Sequence, residues 1–406
     1  MPERPRHDLA ALLHPISLDA FLSTYWEKNW LLVQRRDERY YEGLLTNQNL
    51  EDFVSSPDAR YPAIMLAKDG IYYPPQAYCE DVKMGHVTFS GVPNLKRLSA
   101  EYAKGATVAL TSLDRSWGPL GDLCLRLEEQ LDHGINTNVY ITAGETKGFP
   151  PHYDTHDILV LQIAGKKLWR IYEPTIKLPD VTQPCEPKSF TPGPRLAEVE
   201  LRAGDLLYLP RGYGHAATTS ESHSAHVTVG IHVYTWARVL KEADPSLARS
   251  EEFRKSLPPG FASRPELRPA IREQLKRIAP QHFTDSNVDR AVDSIVRNVN
   301  QSRRRPPGRF RADAVVISLD SRLTTPPADR YYFSRLLDDR NNISGVALDF
   351  GGNKYSFPAQ LEAVLHAICS RGSFRLRDLP GGLKTETLLD LAGYLQSIGF
   401  LSRRNI

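Results

Sequence analysis

The chain has 406 residues with 51 basic and 48 acidic side chains, a net charge of only +3, and 41% hydrophobic residues. That length exceeds one ordinary domain and supports a sizeable core, while the balanced charge gives no support for a chain-wide nucleic-acid-binding surface. The scattered cysteines Cys79, Cys124, Cys185 and Cys369 form no CxxC pair, which argues against a disulfide framework or a zinc site and suits a reducing compartment.

Taken in chain order, residues 1–55 read as mostly helical, with Leu18, Phe21, Leu22 and Trp26 spaced for one face. The N-terminus shows no continuous apolar core of a signal peptide, and no apolar run approaches the roughly 20 residues needed to cross a bilayer. A cytoplasmic protein with no membrane partner is the expectation. From about residue 60 to 237, strand-like runs alternate with Pro/Gly/Asp turns: Ala106–Thr111, Thr137–Thr142, Asp157–Ile163, Lys167–Tyr172, Asp205–Leu209 and His226–Tyr234. Many short strands with turn signals between them predict a β-sandwich or barrel rather than a βαβ fold. Gly165-Lys166 fits a tight turn between two of these strands, and Pro174–Pro194 a long surface loop.

The pattern changes after about residue 240. Leu267, Ile271, Leu275 and Ile278, then Val288, Val292, Ile295, Val296 and Val299, recur at helical spacing and predict a small helical module. Residues 301–308 look like a linker. Strands are expected near 314–319 and 345–350, followed by two amphipathic helices marked by Leu361, Val364, Leu365 and Ile368 and by Leu388, Leu391, Leu395 and Ile398. Two helices beside short strands, with Ser373–Leu376 between them, resemble a winged helix. Three domains are expected: residues 1–240 (β-rich with an N-terminal helical segment), 241–305 (helical) and 306–406 (winged-helix-like).

His152-Tyr153-Asp154 carries the chemistry, read with His215 at the end of Leu-Pro-Arg-Gly-Tyr-Gly-His (209–215). On a strand, positions i and i+2 point to the same side, so His152 and Asp154 would face one cavity and His215 could join them from a later strand. Two histidines and one carboxylate leave three positions of a metal open, as non-haem Fe(II) oxygenases require. A lone His-x-Asp with a distant histidine is more often structural, and His223, His226 and His232 show how readily histidines accumulate without ligating anything. His156 competes with His152, but its i+2 residue is Ile158, which cannot ligate. Such oxygenases need a reductant, commonly 2-oxoglutarate, whose distal carboxylate requires a cation or hydroxyls. Lys167 after the Gly165-Lys166 turn, Tyr140, and Asn138 two positions before it supply those groups together, although each alone reads as a solvated lysine, a core tyrosine or a turn asparagine.

The runs Asn138–Gly144, Pro150–Asp154, Leu161–Arg170 and Gly204–His215, in order and with matching spacing, closely resemble the JmjC-type ribosomal oxygenases, which are cupin-like Fe(II)/2-oxoglutarate-dependent protein hydroxylases. Tyr25–Leu32 resembles the opening segment of that family. The resemblance implies a double-stranded β-helix core with a helical dimerisation module and a C-terminal winged helix, iron at His152, Asp154 and His215, and O2 as the oxidant. It implies that Lys167 and Tyr140 hold the distal carboxylate of 2-oxoglutarate, and that Asn138 and Thr228 line its pocket. The family's acidic residue five positions after the first ligand appears as Asp157. Where the family carries an aromatic two positions further on, this chain has Leu159, and the segment between His215 and Thr228 looks short; both are expected near the mouth. The implied substrate is a protein or peptide side chain, foremost a histidine or arginine of a ribosomal protein, and the implied assembly is a homodimer. Tailoring of a peptide natural product, lysine demethylation and a non-enzymatic scaffold or winged-helix regulator are the rivals. The slight basic excess of residues 358–406 gives little support for DNA binding, and Arg303-Arg304-Arg305 with Arg309 and Arg311 reads as a solvated linker.

Overall fold

The computed structural model describes residues 7–403 apart from 36, 57–58, 145, 147, 188, 220–222, 244–252, 254, 256–267, 303–316, 329–330, 338–342, 351–352 and 381. Contacts divide the chain into two units, Met1–Val233 and Tyr234–Ile406.

The first unit begins with short helices α1 (Leu9–Leu13) and α2 (Leu18–Ala20), the latter running into a π-helical turn, Phe21–Tyr25. Asp8 caps α1 by accepting from Ala11 N at 2.8 Å, satisfying one of the amides a helix start leaves unpaired. Phe21 is fully buried but Leu22 is 41% exposed, so the four residues expected on one face do not share it. Strand β1 (Leu31–Val33) also interrupts the expected helical segment. Helix α3 (Asn47–Val54) opens with a Thr46/Asn49 capping box. Next come β2 (Ile64–Lys68), β3 (Ile71–Tyr72), β4 (Cys79–Met84), β5 (Val87–Pro93), α4 (Leu95–Ala103), β6 (Thr107–Leu110) and α5 (Gly118–Leu131). In α5 the buried Leu120, Leu123, Cys124 and Leu127 form a single stripe at helical spacing.

The remaining strands build the site: β7 (Gly134–Thr142), β8 (Asp157–Ala164), β9 (Lys166–Tyr172), β10 (Arg195–Arg202), β11 (Leu206–Leu209), β12 (Gly214–Thr219) and β13 (Ser224–His232). One antiparallel sheet of eight strands runs β1-β11-β8-β13-β7-β6-β2-β3, and a second of three strands runs β10-β9-β12. Alternation along β8 sorts its residues between two cores. Leu159 and Leu161 join the helices in one core with Leu12, Phe21, Leu50 and Leu123, whereas Ile158 and Val160 pack toward Trp169, Ile171, Leu201, Leu207 and Leu209 between the sheets. This is the cupin-like arrangement, a β core with helices over one face.

Gly165 makes the expected tight turn between β8 and β9, which belong to different sheets, and it turns the corner between them at φ +63, where an added Cβ would lie 1.9 Å from the His223 carbonyl oxygen. Only glycine fits there. Two other expectations change. His152 and Asp154 do not lie on a strand; the segment touches the sheet through one isolated bridge, His152 with His215. Leu159 is fully buried in the helix-side core, away from the mouth, because its odd position along β8 turns it from the cavity.

The second unit holds α6 (Trp236–Ala243), α7 (Arg268–His282) and α8 (Asp285–Ser302), bearing out the two stripes as helices over the described residues, although Leu275 and Val292 are exposed and Leu267 lies outside the described residues. It also holds β14 (Arg322–Thr324), β15 (Tyr331–Leu337), β16 (Ile343–Phe350), β17 (Asn353–Pro358), α9 (Glu362–Cys369), β18 (Ser373–Arg375), α10 (Thr385–Ser397) and β19 (Ser402–Arg403). Strands order as β18-β14-β19 and β15-β16-β17, around a core containing Leu323, Leu348, Leu365, Ile368, Leu391, Leu395 and Phe400. The strand expected near 314–319 is not formed at 317–319, and its first half, like the arginine run at 303–311, lies outside the described residues.

Candidate metal and cosubstrate site

A cavity of about 300 Å³ lies between the two sheets of the first unit, and all seven predicted site residues line it: His152, Asp154, His215, Lys167, Tyr140, Asn138 and Thr228. They arrive on different elements because inward positions repeat every second residue. Strand β7 supplies Asn138, Tyr140 and Thr142, β9 supplies Lys167 and Trp169, β12 supplies His215 and Ala217, and β13 supplies His226 and Thr228.

At the outer end, one ligand atom from each of His152, Asp154 and His215 lies within 4.8 Å of the others, and His215 Nε2 is 3.7 Å from Asp154 Oδ2. The backbones of His152 and His215 exchange both hydrogen bonds, at 3.1 and 2.7 Å, which fixes their side chains as neighbours across a bridge. His152 Nδ1 lies 2.9 Å from the Pro150 carbonyl oxygen and His215 Nδ1 3.1 Å from that of Tyr213. A carbonyl only accepts, so each Nδ1 carries the proton and each Nε2 keeps its lone pair for a metal. Burial, followed by the His152 ring, holds His215 down to about 4, so it stays a neutral ligand. Burial pushes the Asp154 carboxyl up, but the imidazoles of His215, His156, His152 and His232 prevail and hold it below the usual carboxylate range.

The return loop to His215 is held separately. Asp157, fully buried, accepts from the Tyr208 hydroxyl at 2.7 Å, from Arg211 N at 3.0 Å and from Arg211 Nη1 at 3.1 Å, while Arg211 Nη1 also donates to Glu27 at 2.5 Å. Gly212, at φ +89 with the Ile176 carbonyl 2.2 Å from where a Cβ would be, donates its amide to the Asp154 carbonyl. Asp157 is therefore a structural clamp that leads the chain into β12.

The inner end is buried and cationic. Lys167 is 3% exposed, and its Nζ lies 3.3 Å from Thr142 Oγ1 and 3.5 Å from His226 Nδ1. Among the described residues lining the cavity the only carboxylate is Asp154, at the other end. Burial alone pushes the Lys167 ammonium down to about 7, as expected of an unpaired buried lysine. Burial also pushes the Tyr140 phenol up, so it remains a donor. Asn138 Oδ1 accepts from Ser112 N at 3.0 Å, which leaves its NH2 group on the Tyr140 side. Trp169, 4% exposed, has an indole Nε1 buried without a partner.

These features fit a metal and an anionic cosubstrate. The donor set has two imidazoles with Nε2 turned to the site and a carboxylate, suited to Fe(II) with open positions. The inner end offers an ammonium, a phenol and an indole N–H that lack an acceptor of opposite charge, and a buried donor without a partner is costly. His156 lines the cavity but is not among the three clustered ligand atoms. Among the lining residues absent from the sequence prediction are Thr142, Trp169 and His226, the last having been read as a histidine that ligates nothing. Each sits two positions from an assigned residue (Tyr140, Lys167 and Thr228) on the same strand, so period-two alternation was the signal that could have found them.

The family model described as the JmjC domain matches residues 122–239. A Drosophila persimilis protein named bifunctional lysine-specific demethylase and histidyl-hydroxylase NO66 is 27% identical over 322 residues, covering 71% of this chain and 43% of that protein. Ribosomal oxygenase 1 of Gallus gallus is 31% identical over 261 residues, covering 61% and 41% respectively. A structure of the ribosomal oxygenase YcfD from Escherichia coli, in complex with cobalt and 2-oxoglutarate, aligns over 96% of this chain and 99% of its own, with a TM-score of 0.48 and 16% identity. Residues 122–239 thus carry a JmjC domain, and NO66 and ribosomal oxygenase 1 proteins are homologues of the chain. It spans less than half the length of these two curated relatives.

Proposed function

We propose that this protein is an Fe(II)- and 2-oxoglutarate-dependent hydroxylase of a protein side chain, with a histidine or arginine of a ribosomal protein as the leading target. The observation that carries this reading is one cavity with a two-histidine, one-carboxylate cluster at its outer end and a buried, carboxylate-free lysine at its inner end. His152, Asp154 and His215 would hold the iron. Lys167 and Tyr140 would bind the distal carboxylate of 2-oxoglutarate, with Asn138 and Thr228 along its flank and Trp169 as a further donor. Iron bound there would supply the activation of O2 that couples oxidative decarboxylation of 2-oxoglutarate to succinate with hydroxylation of a substrate C–H bond. The chain's own task is to orient these groups and keep water from the inner end. The buried walls Trp169, Ile158 and Ala217 serve that task.

The ribosomal target is proposed from the names of the relatives. The Drosophila relative's name also includes lysine demethylation, which would use the same cavity with an N-methyl group presented to it. We further propose that α7 and α8 form a dimerisation module, that residues 306–406 act as a winged-helix scaffold without contacting nucleic acid, and that the protein works in the cytoplasm. Support for the last comes from four free cysteines; no helix among the described residues is long and apolar enough to cross a membrane. The three-part division 1–240, 241–305 and 306–406 belongs to the same proposal.

Mass spectrometry of ribosomal proteins from a strain lacking this chain, with and without complementation, tests the target. The expected result is one residue that loses a +16 Da mark and regains it on complementation. An unchanged set of masses would overturn the ribosomal target, and a methyl group retained on lysine in its place would favour demethylation.

A further inference from the structure

The inner end contains a second buried base that the proposed chemistry does not use. His226 is 4% exposed and sits on β13 opposite Tyr140 of β7. Its ring is clamped on two sides: it stacks on Tyr140 at 5.3 Å with 22° between planes, and Trp169 meets it edge-on at 5.5 Å and 82°. The clamp leaves its Nδ1 3.5 Å from Lys167 Nζ. An ammonium has only donors, so a contact between the two requires Nδ1 unprotonated and the ring proton on Nε2.

We propose that His226 is a positioning residue for the cosubstrate: its neutral imidazole accepts from Lys167 through Nδ1 and holds the ammonium toward the cavity, charged and aimed, before the anion arrives. The inference rests on the proposed 2-oxoglutarate reading and adds a residue and a regulation to it. The other contact to Lys167, Thr142 Oγ1, is shared with Thr107, 3.2 Å away, so His226 is the one basic acceptor beside the ammonium among the described contacts. Burial, with Lys167 and His215 nearby, keeps His226 well below its ordinary value and therefore neutral. The titratable groups facing Lys167 are Tyr140 from β7 and His226 from β13, with His152, Asp154, His156 and His215 further along the cavity and Tyr72 at its rim. None of those nearest is a carboxylate, so loss of the Nδ1 acceptor leaves the ammonium with a hydroxyl alone.

The test compares the wild type with His226→Phe, which retains an aromatic ring between Tyr140 and Trp169, and His226→Gln, which restores an acceptor. The KM for 2-oxoglutarate of the metal-loaded full chain is measured between about pH 6 and 9, around the expected titration of a buried lysine. His226→Phe should raise KM more than it lowers kcat, by about tenfold on the alkaline side, the typical worth of a hydrogen bond to a charged group, and should move the alkaline rise to lower pH. His226→Gln should recover most of that loss. A second readout needs neither metal nor cosubstrate: the 13Cε shift of Lys167 in the unloaded protein should titrate at lower pH in His226→Phe than in the wild type. A KM ratio constant across pH, or Lys167 titrating identically in both proteins, overturns the role of His226. Wild-type protein that neither binds 2-oxoglutarate nor releases succinate overturns the functional reading instead, while the Lys167 titration still decides the His226 contact.

Discussion

The two ends of the cavity are built in opposite ways. The outer end hangs on a segment with almost no regular structure, where His152 and Asp154 are placed by one backbone bridge to His215 and by carbonyls that fix the ring protons. The inner end is made of strand positions alone, and Lys167, Thr142 and His226 are buried. The outer end is thus open to an incoming substrate, whereas the inner end excludes water around a charge, where that charge counts most. Orientation at the first comes from local hydrogen bonds; at the second it comes from packing.

The sharpest way to break this contrast is Asp154→Ala. It should weaken iron binding by more than about a hundredfold, since losing a group that merely orients a ligand already costs about 10- to 100-fold; metal content after dialysis is the check, and the fold should survive. Asp157→Ala should do the reverse. It leaves the buried Arg211 guanidinium with Glu27 alone, so a loss of about 3 kcal/mol is expected, read as a thermal midpoint lowered by about 6–12 °C. Both readouts unchanged would remove Asp157 as the clamp.

Lys167→Met should raise the KM for 2-oxoglutarate by about 10- to 100-fold, the worth of a charge-assisted contact, while iron is retained. A sign follows from the lowered Lys167 value of about 7 against the ordinary 10.5. Between those limits the unfolded chain binds more protons than the folded one, so the unloaded wild type should gain stability as pH rises through this window. Lys167→Met should abolish that slope. Cosubstrate affinity should run the opposite way, weakening as pH rises past Lys167, because the anion needs the charged form. The smallest effect is expected of Trp169→Phe, which keeps the ring and deletes the N–H; about a 2- to 10-fold loss of 2-oxoglutarate affinity is expected for one neutral donor.

The same contrast explains what the sequence revealed. His152, Asp154 and His215 were legible because a metal demands particular residue types at short spacing, and Lys167 and Tyr140 because the cosubstrate demands a cation and a hydroxyl. The strand runs at 107–110, 157–164 and 166–172 were legible as short strand-like runs bounded by Pro/Gly/Asp turns. What alternation could not show was which strands pair. Gly165 looks like any tight turn, yet it moves the chain from one sheet to the other, a fact set by the His223 carbonyl that is distant in sequence. Leu159 was placed at the mouth although its neighbours Ile158 and Val160 take the cavity side. Trp169 and His226 share a strand face with Lys167 and Thr228, and they were missed because alternation alone does not tell a cavity wall from an ordinary core.

The most direct test of the two-ended cavity is succinate release without added substrate. Wild-type protein loaded anaerobically with Fe(II), then given 2-oxoglutarate and O2, should form succinate above the Asp154→Ala background, and Lys167→Met should need more 2-oxoglutarate to do so. No succinate from the wild type, with no binding of iron or 2-oxoglutarate, would contradict the account.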